Sequence, residues 1–262
     1  MQHDYKATVA LITIVLIIGL GTLSKTFAAE MDHTKPMRVG LLELYTSEGC
    51  SSCPPADILI SNLPRPQLVP AKLVVLAFHV DYWNYLGWKD RFSQRQFTER
   101  QQTLVRATAL PTAYTPQFVF NGRDYRERGT IEAKALDVTG QPATVRITLE
   151  TVLRARTLHI NVLIEPTVPQ HNKAALYIAL YENNLETPVQ AGENRGRRLR
   201  HDYVVRLLLD PTTLTFEKPQ RWEREVAVAE DWKIEDIGVA AFVQSDLTGE
   251  ILQAAAQLVQ RP

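Results

Sequence analysis

The sequence lacks several features that would identify a function directly. Its 262 residues carry 29 basic and 29 acidic side chains, so they have no formal net charge and give no indication of a nucleic-acid partner. No G-x-S-x-G motif of serine hydrolases is present, and no nucleotide-binding loop occurs. The chain also has no apolar run of about 20 residues, the length that a membrane-spanning helix usually needs. We therefore expect no nucleic-acid partner and no cofactor.

The N-terminus has the three-part pattern of an export signal. A polar start precedes the predominantly apolar run VALITIVLIIGL (9–20), and small residues follow it. Cleavage after Ala28 fits this pattern, so we expect residues 1–29 to be a signal peptide and the protein to be exported, periplasmic or secreted. The alternative is an uncleaved segment that anchors the chain in the inner membrane through residues 9–23. In that case this segment is the expected membrane contact.

Cysteine is scarce as well. Cys50 and Cys53 are the only two, and they form a Cys-x-x-Cys motif within GCSSCPPAD (49–57). A structural disulfide across so short a loop removes little chain entropy, so it would stabilise a chain of this size poorly. Zinc normally takes four ligands, and the sequence has neither a second Cys-x-x-Cys nor a paired histidine set, so we predict no metal site. A copper site that adds His79 to the two cysteines remains an alternative.

The position of the motif favours a redox dithiol. A predicted buried strand (38–46) precedes it, and a predicted helix (54–63) follows it. At a helix N-terminus the free N–H groups and the helix dipole stabilise a thiolate, and prolines are tolerated in the first turn. We therefore predict that Cys50 is the exposed thiol and that Cys53 is the buried one.

Thr115 and Pro116 open a short predicted strand that ends in an Asn121-Gly122 turn. A proline at this place suits a cis peptide bond, which would turn the backbone of Thr115 towards the dithiol to receive an extended chain. The alternative is an ordinary proline of an edge strand. Together with a dithiol at a strand–helix junction, the pattern favours a role for both residues in the site.

Two further stretches are candidates for binding. HVDYWNYLGWKD overlaps the end of a second predicted strand (73–83), and its aromatic side chains include Tyr82 and Trp83. They form either a platform beside the dithiol or packing against the C-terminal half. GENRGRRLRH concentrates basic side chains from Arg195 to Arg200. Such a loop is usually solvated. Two more specific alternatives are a docking surface for an acidic partner and a clamp on the N-terminal half.

The order of the predicted elements divides the chain near residue 140. Strands and helices alternate before it, which predicts an α/β domain at residues 37–138 with a mixed sheet and flanking helices. Strand-sized segments separated by turn residues follow it and predict an all-β, sandwich-like domain at residues 141–262. The last segment, TGEILQAAAQLV, suits either a strand or a short helix.

Residues 37–130 resemble the thioredoxin superfamily in their order of strand, Cys-x-x-Cys, helix, strand, long helix and Thr-Pro before a hairpin. More narrowly, LYTSEGCSSCPPAD, FHVDYWNYLGWKDRFS and YTPQFVFNG are similar to a family of secreted bacterial proteins of unknown function, which pairs a thioredoxin-like module with a C-terminal β region. The resemblance implies that Cys50 attacks, that Cys53 resolves and that Pro116 is the cis-proline. It also implies a buried acid for proton transfer, for which Glu43 is the nearest candidate, although Glu43 lies one residue further from the first cysteine than is usual.

The function expected from these features is an exported thiol–disulfide oxidoreductase whose partners are protein thiols or disulfides. Its direction, oxidising or reducing, depends on a reduction potential that the residues leave open. Glu48, two residues before Cys50, is read as a solvated loop acid. Two other functions stay open: a non-catalytic binding protein with a structural or vestigial dithiol, and a copper-handling protein.

Overall fold

The computed structural model describes residues 36–259 except 66, 70, 109 and 170–172. The segment expected to direct export, residues 1–29, lies outside the described residues. Within the described part of the chain, no helix has both the length and the apolar character needed to cross a membrane.

The N-terminal half contains the expected elements and one more helix. In chain order they are β1 (Gly40–Thr46), α1 (Pro54–Ser61), β2 (Leu73–His79), α2 (Arg95–Ala107), β3 (Gln117–Phe120), β4 (Arg123–Asp124) and α3 (Ile131–Thr139). The predicted hairpin turn is confirmed, because Asn121 and Gly122 connect β3 to β4 and both have positive φ. Helix α3 has no counterpart in the sequence prediction.

The C-terminal half is built from strands. They are β5 (Val145–Arg154), β6 (Thr157–Pro166), β7 (Ala174–Glu182), β8 (Leu185–Pro188), β9 (Arg198–His201), β10 (Val204–Leu208), β11 (Thr212–Leu214), β12 (Gln220–Ala227), β13 (Ile237–Ser245) and β14 (Ile251–Leu258). The final segment, for which strand and helix were both open, is therefore the strand β14.

One large mixed sheet takes strands from both halves. Its order is β14-β13-β7-β10-β2-β1-β3-β4, with β11 also paired to β7. The two halves join where β10 lies parallel to β2, with Val204 opposite Ala77 and the Ala77 N–H donating to the Tyr203 carbonyl at 2.8 Å. Strands β12, β6 and β5 form a second sheet, and β8 pairs with β9.

The expected fold class, a thioredoxin-like α/β domain followed by a sandwich-like β domain, is wrong. The described chain is mostly β, and its principal sheet runs through both halves. The physical reason lies in β2, which is buried along its whole length and therefore needs a neighbouring strand on each edge. Strand β1 covers one edge, and β10, far away in sequence, pairs along the other.

Apolar side chains pack on this sheet in two clusters. One contains the largest buried aromatic side chains, from Tyr45 and Phe78 of the N-terminal half to Phe242 of β13. The other joins the second sheet to β7 and β13, with Val162 and Val239 among its fully buried members. Because β13 contributes to both clusters, the loop that carries the cysteines rests on a framework shared by the two halves.

Candidate redox site

The two cysteines lie in the short loop between β1 and α1. Cys50 and Cys53 form a disulfide, with their Cα atoms 5.5 Å apart. Cys53 is the N-cap of α1, and Pro54 and Pro55 follow in the first turn, where a missing N–H costs no helical hydrogen bond. The Ala56 N–H donates to the Cys53 carbonyl at 2.8 Å and begins the helix. The motif therefore sits at the strand–helix junction, as predicted.

Cys50 is more deeply buried than predicted, whereas Cys53 is buried as predicted. Cys50 is 2% exposed and Cys53 is fully buried, whereas Ser51 and Ser52 between them are exposed. Cys50 was expected to be the exposed thiol, and this expectation is wrong because Cys50 is almost completely covered.

Thr115, Pro116 and Trp83 meet beside the disulfide. The Thr115–Pro116 peptide bond is cis, and the Thr115 carbonyl oxygen lies 3.9 Å from Cys50 Sγ. Trp83 Nε1 donates to Thr115 Oγ1 at 2.8 Å, which fixes the indole against the same loop. The structure thus brings together the two cysteines and three of the other predicted site residues.

Tyr82 supports the site from further away. Its hydroxyl donates to Gln101 Oε1 at 3.2 Å, and Gln101 Nε2 donates to the Tyr114 carbonyl at 2.8 Å, next to Thr115. Burial raises the pKa of Tyr82 to about 12, so the hydroxyl stays a neutral donor. Of the other aromatic side chains in this stretch, Tyr85 is 80% exposed. In this stretch Trp83 therefore lies beside the dithiol loop, whereas Tyr82 contacts Gln101 further away.

Glu43, the candidate for proton transfer, lies in an ion pair. It is 1% exposed, and its Oε1 accepts from Arg100 Nε at 2.7 Å and from the Tyr45 hydroxyl at 3.2 Å. Burial, and next the Glu43 charge, raise the pKa of Tyr45 well above its usual value of 10. Glu43 is therefore held in a structural ion pair with Arg100 of α2.

A loop of the C-terminal half holds the dithiol loop. Asn194 is fully buried, and its Nδ2 donates to the Glu48 carbonyl at 2.9 Å and to the Cys50 carbonyl at 3.0 Å. The Ser51 N–H donates to Glu193 Oε2 at 3.0 Å. Among the interpretations of the GENRGRRLRH stretch, these contacts favour the one in which it clamps the N-terminal half.

The basic side chains of that stretch have an acidic neighbour within the chain. Arg198 and Arg200 both pair with Glu186, with N–O distances of 3.2 and 2.7 Å, and all three side chains are exposed. An acidic partner at the Arg195–Arg200 loop would compete with this carboxylate. That partner stays a prediction.

A cluster of buried ionisable side chains lies around the dithiol loop. Its members are Glu48, Asp57, His79, Asp90 and His201, each no more than 3% exposed. His79 Nδ1 lies 2.7 Å from Asp90 Oδ2, and the His79 and His201 rings are 5.0 Å apart. His201 Nε2 is 3.4 Å from Glu48 Oε1, and His201 Nδ1 is 3.8 Å from Asp57 Oδ2. The interpretation of Glu48 as a solvated loop acid is therefore wrong.

The environment of this cluster shifts three pKa values. Burial raises the pKa of Asp57 above its usual 3.8, against the attraction of His201 and His79. Burial alone would lower the pKa of His79, but the nearby Asp90 carboxylate raises it above the usual 6.5. Burial likewise opposes ionisation of Asp90, yet His79 lowers its pKa below 3.8. His79 and Asp90 thus form a buried ion pair.

This ion pair predicts how stability depends on pH. Because the His79 pKa is raised in the folded state, its contribution is complete below pH 6.5 and is lost as the pH rises through the folded pKa. The free energy of unfolding should then fall above pH 6.5, by about 1.4 kcal/mol for each pKa unit of the shift. The Asp90 contribution is present above pH 3.8 and is lost only in stronger acid.

Urea unfolding of the oxidised protein at several pH values measures this slope. The double variant His79→Gln/Asp90→Asn should remove most of the decline above pH 6.5. The control His159→Gln, which loses a half-buried histidine paired with Glu225 at 3.1 Å, should retain it. An equal decline in the wild type and the double variant would contradict the ion pair.

Little in the sequence indicates this cluster. Asp57 follows Cys53 by four residues, a spacing that places both on one face of a helix, and this was the one readable signal. His201 reaches the site from β9, which is far from the dithiol loop along the chain, and no local pattern predicts such a contact. Within the described residues, no group of three or more histidine, cysteine or acidic side chains is arranged to hold a metal ion.

Known proteins resemble the chain in sequence and in fold. Residues 41–244 match a family described as "Protein of unknown function (DUF1223)". No curated protein matches the chain. The crystal structure of protein AGR_C_4864 from Agrobacterium tumefaciens is 24% identical over 87% of this chain and 97% of that chain, with a TM-score of 0.58. HBP35 of Porphyromonas gingivalis is 15% identical over 86% of this chain and 76% of that chain, with a TM-score of 0.64. At these identities the likenesses show a common fold alone.

Proposed function

The chain belongs to the DUF1223 family of proteins of unknown function, and from the chemistry of its site we propose that it is a thiol–disulfide oxidoreductase working through Cys50 and Cys53. One observation carries the proposal: the disulfide lies at the N-terminus of α1, with the Thr115 carbonyl 3.9 Å from Cys50 Sγ. A helix N-terminus stabilises the thiolate that this chemistry needs.

The exchange proceeds through a mixed disulfide. A partner thiolate attacks Cys50 Sγ, a new sulfur–sulfur bond forms, and Cys53 leaves as a thiolate that takes up a proton. A second thiolate of the partner then attacks its own sulfur in the mixed disulfide and releases Cys50. The protein gains two electrons and the partner is oxidised; the reverse sequence reduces a partner disulfide. The Thr115 backbone lies beside Cys50 Sγ, and this supports Cys50 as the first to react.

Thr115 and Trp83 are the proposed contact surface for the partner. The Thr115 backbone lies against the sulfur of Cys50, and Trp83 holds the Thr115 side chain by a hydrogen bond. An extended segment of a protein substrate would lie along Thr115 and bring its cysteine to Cys50. We also propose that the protein acts outside the cytoplasm, since disulfides persist in oxidising compartments and the N-terminus has the pattern of an export signal.

Trapping of the mixed disulfide tests this function. In a Cys53→Ala variant the resolving thiol is missing, so partners attached to Cys50 should accumulate as species that a reductant releases. The control is Cys50→Ala/Cys53→Ala, which should trap nothing. If Cys53→Ala traps no more protein than this control under the same expression and alkylation conditions, the proposal fails.

A structural role for the dithiol is the second candidate. The observation that favours it is the burial of both cysteines, because buried disulfides away from solvent are poor partners in exchange. In that case the protein would be a binding module whose dithiol loop is held by Asn194 and never opens. The reduction potential of the disulfide separates the two candidates.

A further inference from the structure

The loop between β8 and β9 (residues 189–197), which we call the clamp loop, holds a carboxylate against the segment between the two cysteines. Glu193 of this loop is exposed, and its Oε2 accepts a hydrogen bond from the Ser51 N–H at 3.0 Å. That N–H belongs to the peptide group that joins Cys50 to Ser51. The C-terminal half of the chain therefore places a carboxylate next to the backbone of the cysteine proposed to attack.

The buried Asn194 fixes the position of Glu193. Its Nδ2 donates to the Cys50 carbonyl at 3.0 Å, and its Oδ1 accepts from Arg197 Nη1 at 3.1 Å. At the base of the loop the Val189 N–H donates to the Arg197 carbonyl at 2.9 Å. Because both polar atoms of Asn194 are used in this way, Glu193, the residue before it, is held against the dithiol loop.

Few backbone N–H groups near Cys50 are left to stabilise a thiolate. The first two residues of α1 are prolines, which have no N–H, and the next two donate to the Cys53 carbonyl at 2.8 and 3.2 Å. The Cys53 N–H donates to the Cys50 carbonyl at 3.2 Å. Within the described residues, no backbone carbonyl accepts from Ser51 or Ser52. Glu193 therefore takes one of the two N–H groups of this segment that remain for a negative group.

Glu193 carries its negative charge at neutral pH. Hydrogen bonds from Ser51, first from its side chain and then from its backbone, lower the pKa of Glu193 below its usual 4.5. Among the described residues no basic side chain forms an ion pair with Glu193; Arg198 and Arg200, which follow it in the sequence, pair with Glu186. A like charge near a thiol disfavours the thiolate, so Glu193 opposes the effect of the helix N-terminus.

We propose, on the basis of the proposed function, that Glu193 opposes ionisation of Cys50 and so biases the dithiol towards reducing partner disulfides. Reduction by two electrons and one proton breaks the Cys50–Cys53 bond and leaves a thiolate at Cys50 and a thiol at Cys53. Because a negative neighbour makes this form less stable, it is a stronger reductant. The two electrons then pass to the partner disulfide, which becomes a thiol and a thiolate as the Cys50–Cys53 bond forms again.

Ser52 acts on Cys50 in the opposite sense. Its Oγ lies 3.3 Å from Cys50 Sγ, where the hydroxyl can donate to a thiolate and stabilise it. Glu193 and Ser52 thus have opposed effects on the same sulfur, one from each half of the chain. Replacements of these two residues should therefore shift the ionisation of Cys50 in opposite directions.

The other ionisable side chains around the dithiol loop are present with or without the Glu193 charge. They are Glu48 of the dithiol loop, Asp57 of α1, His79 of β2 with its partner Asp90, His201 of β9, and Arg195 and Arg197 of the clamp loop. A substitution that removes the Glu193 charge and keeps its shape leaves all of them in place. A change in the ionisation of Cys50 then reports the charge of Glu193.

The test is a pH titration of the reduced full chain, followed by the ultraviolet absorbance of the thiolate. Glu193→Gln keeps an oxygen that can accept from the Ser51 N–H but removes the charge. The ionisation constant of Cys50 should then rise about three- to tenfold, so that half-ionisation occurs about 0.5–1 pH unit lower. Ser52→Ala should move half-ionisation to higher pH. The control Glu223→Gln, which replaces an exposed glutamate of β12, should match the wild type.

The reduction potential gives a second readout. At a pH where Cys50 is fully ionised in both proteins, Glu193→Gln should have a potential about 15–30 mV above that of the wild type, because a tenfold change in the equilibrium constant is about 30 mV. At a pH where Cys50 is protonated in both, the two potentials should converge. Salt at about 1 M, where the Debye length is about 3 Å, should reduce the difference in ionisation between the two proteins.

Ionisation of Cys50 that is equal in Glu193→Gln and the wild type would overturn the proposal. So would a difference that the added salt leaves unchanged, since a rearranged loop rather than a charge would then be its cause. The titration needs no protein partner, so it can fail independently of the proposed function. A wild type that traps no partner through Cys50 contradicts the oxidoreductase, whereas unchanged ionisation contradicts the role of Glu193 alone.

Discussion

Replacement of Cys50 by serine is expected to abolish disulfide exchange with a protein substrate. Serine is close to cysteine in size but cannot form the mixed disulfide through which the exchange proceeds. The rate should fall at least about a thousandfold, as when an enzyme loses its nucleophile. The measurement is the turnover of a disulfide-bonded test protein, or of a dithiol test protein, by the wild type and the variant.

Cys53→Ser is the matched control for this prediction. It removes a sulfur from the same loop and should also stop turnover, but it should still form a mixed disulfide between Cys50 and the substrate. Cys50→Ser should form none. A Cys50→Ser protein that turns substrate over at a rate near that of the wild type would contradict the assignment of Cys50.

Replacement of Arg100 by methionine is expected to destabilise the fold strongly. Arg100 donates to the buried Glu43 carboxylate, and its guanidinium lies 4.7 Å from the ring centroid of Tyr177 and 5.1 Å from that of Phe242. Burial alone lowers the pKa of Arg100, but Glu43 raises it above its usual value, so the guanidinium keeps its charge. Methionine would leave Glu43 as an unpaired buried charge, and the free energy of unfolding should fall by roughly 3–5 kcal/mol.

Urea unfolding measures this loss, and two further variants show where it originates. Arg95→Met removes an exposed arginine of the same helix, paired with Glu99, and should cost less than about 0.5 kcal/mol. The double variant Glu43→Gln/Arg100→Met removes both charges and should recover much of the stability. If it is no more stable than Arg100→Met, the unpaired charge is not the cause.

Much of the N-terminal half could be predicted because its signals are local. The buried strand before Cys50, the prolines after Cys53 and the Asn121-Gly122 turn each lie within a few residues of the structure that they determine. The contact of Thr115 with the dithiol followed from the order of these elements. Such patterns depend on backbone preferences and periodicity, which a single sequence displays.

Pairings between distant segments could not be predicted in the same way. Strand β10 pairs beside β2 in the large sheet, and the residues that link them, Ala77 and Tyr203, are far apart along the chain. For the same reason, separation along the chain, the contact of His201 with Glu48 and that of Asn194 with the cysteine loop could not be predicted. Each of these contacts depends on which strands pair, and the hydrophobic pattern of one strand does not determine its neighbouring strand. The fold class was therefore wrong although most of its elements were right.

The most direct test of a working dithiol is the reduction potential of the Cys50–Cys53 disulfide, measured by equilibration of the full chain with glutathione or dithiothreitol couples. A redox role predicts a potential between about −270 and −120 mV, the range of oxidoreductases with this motif. A value below about −300 mV, typical of structural disulfides, would contradict the account.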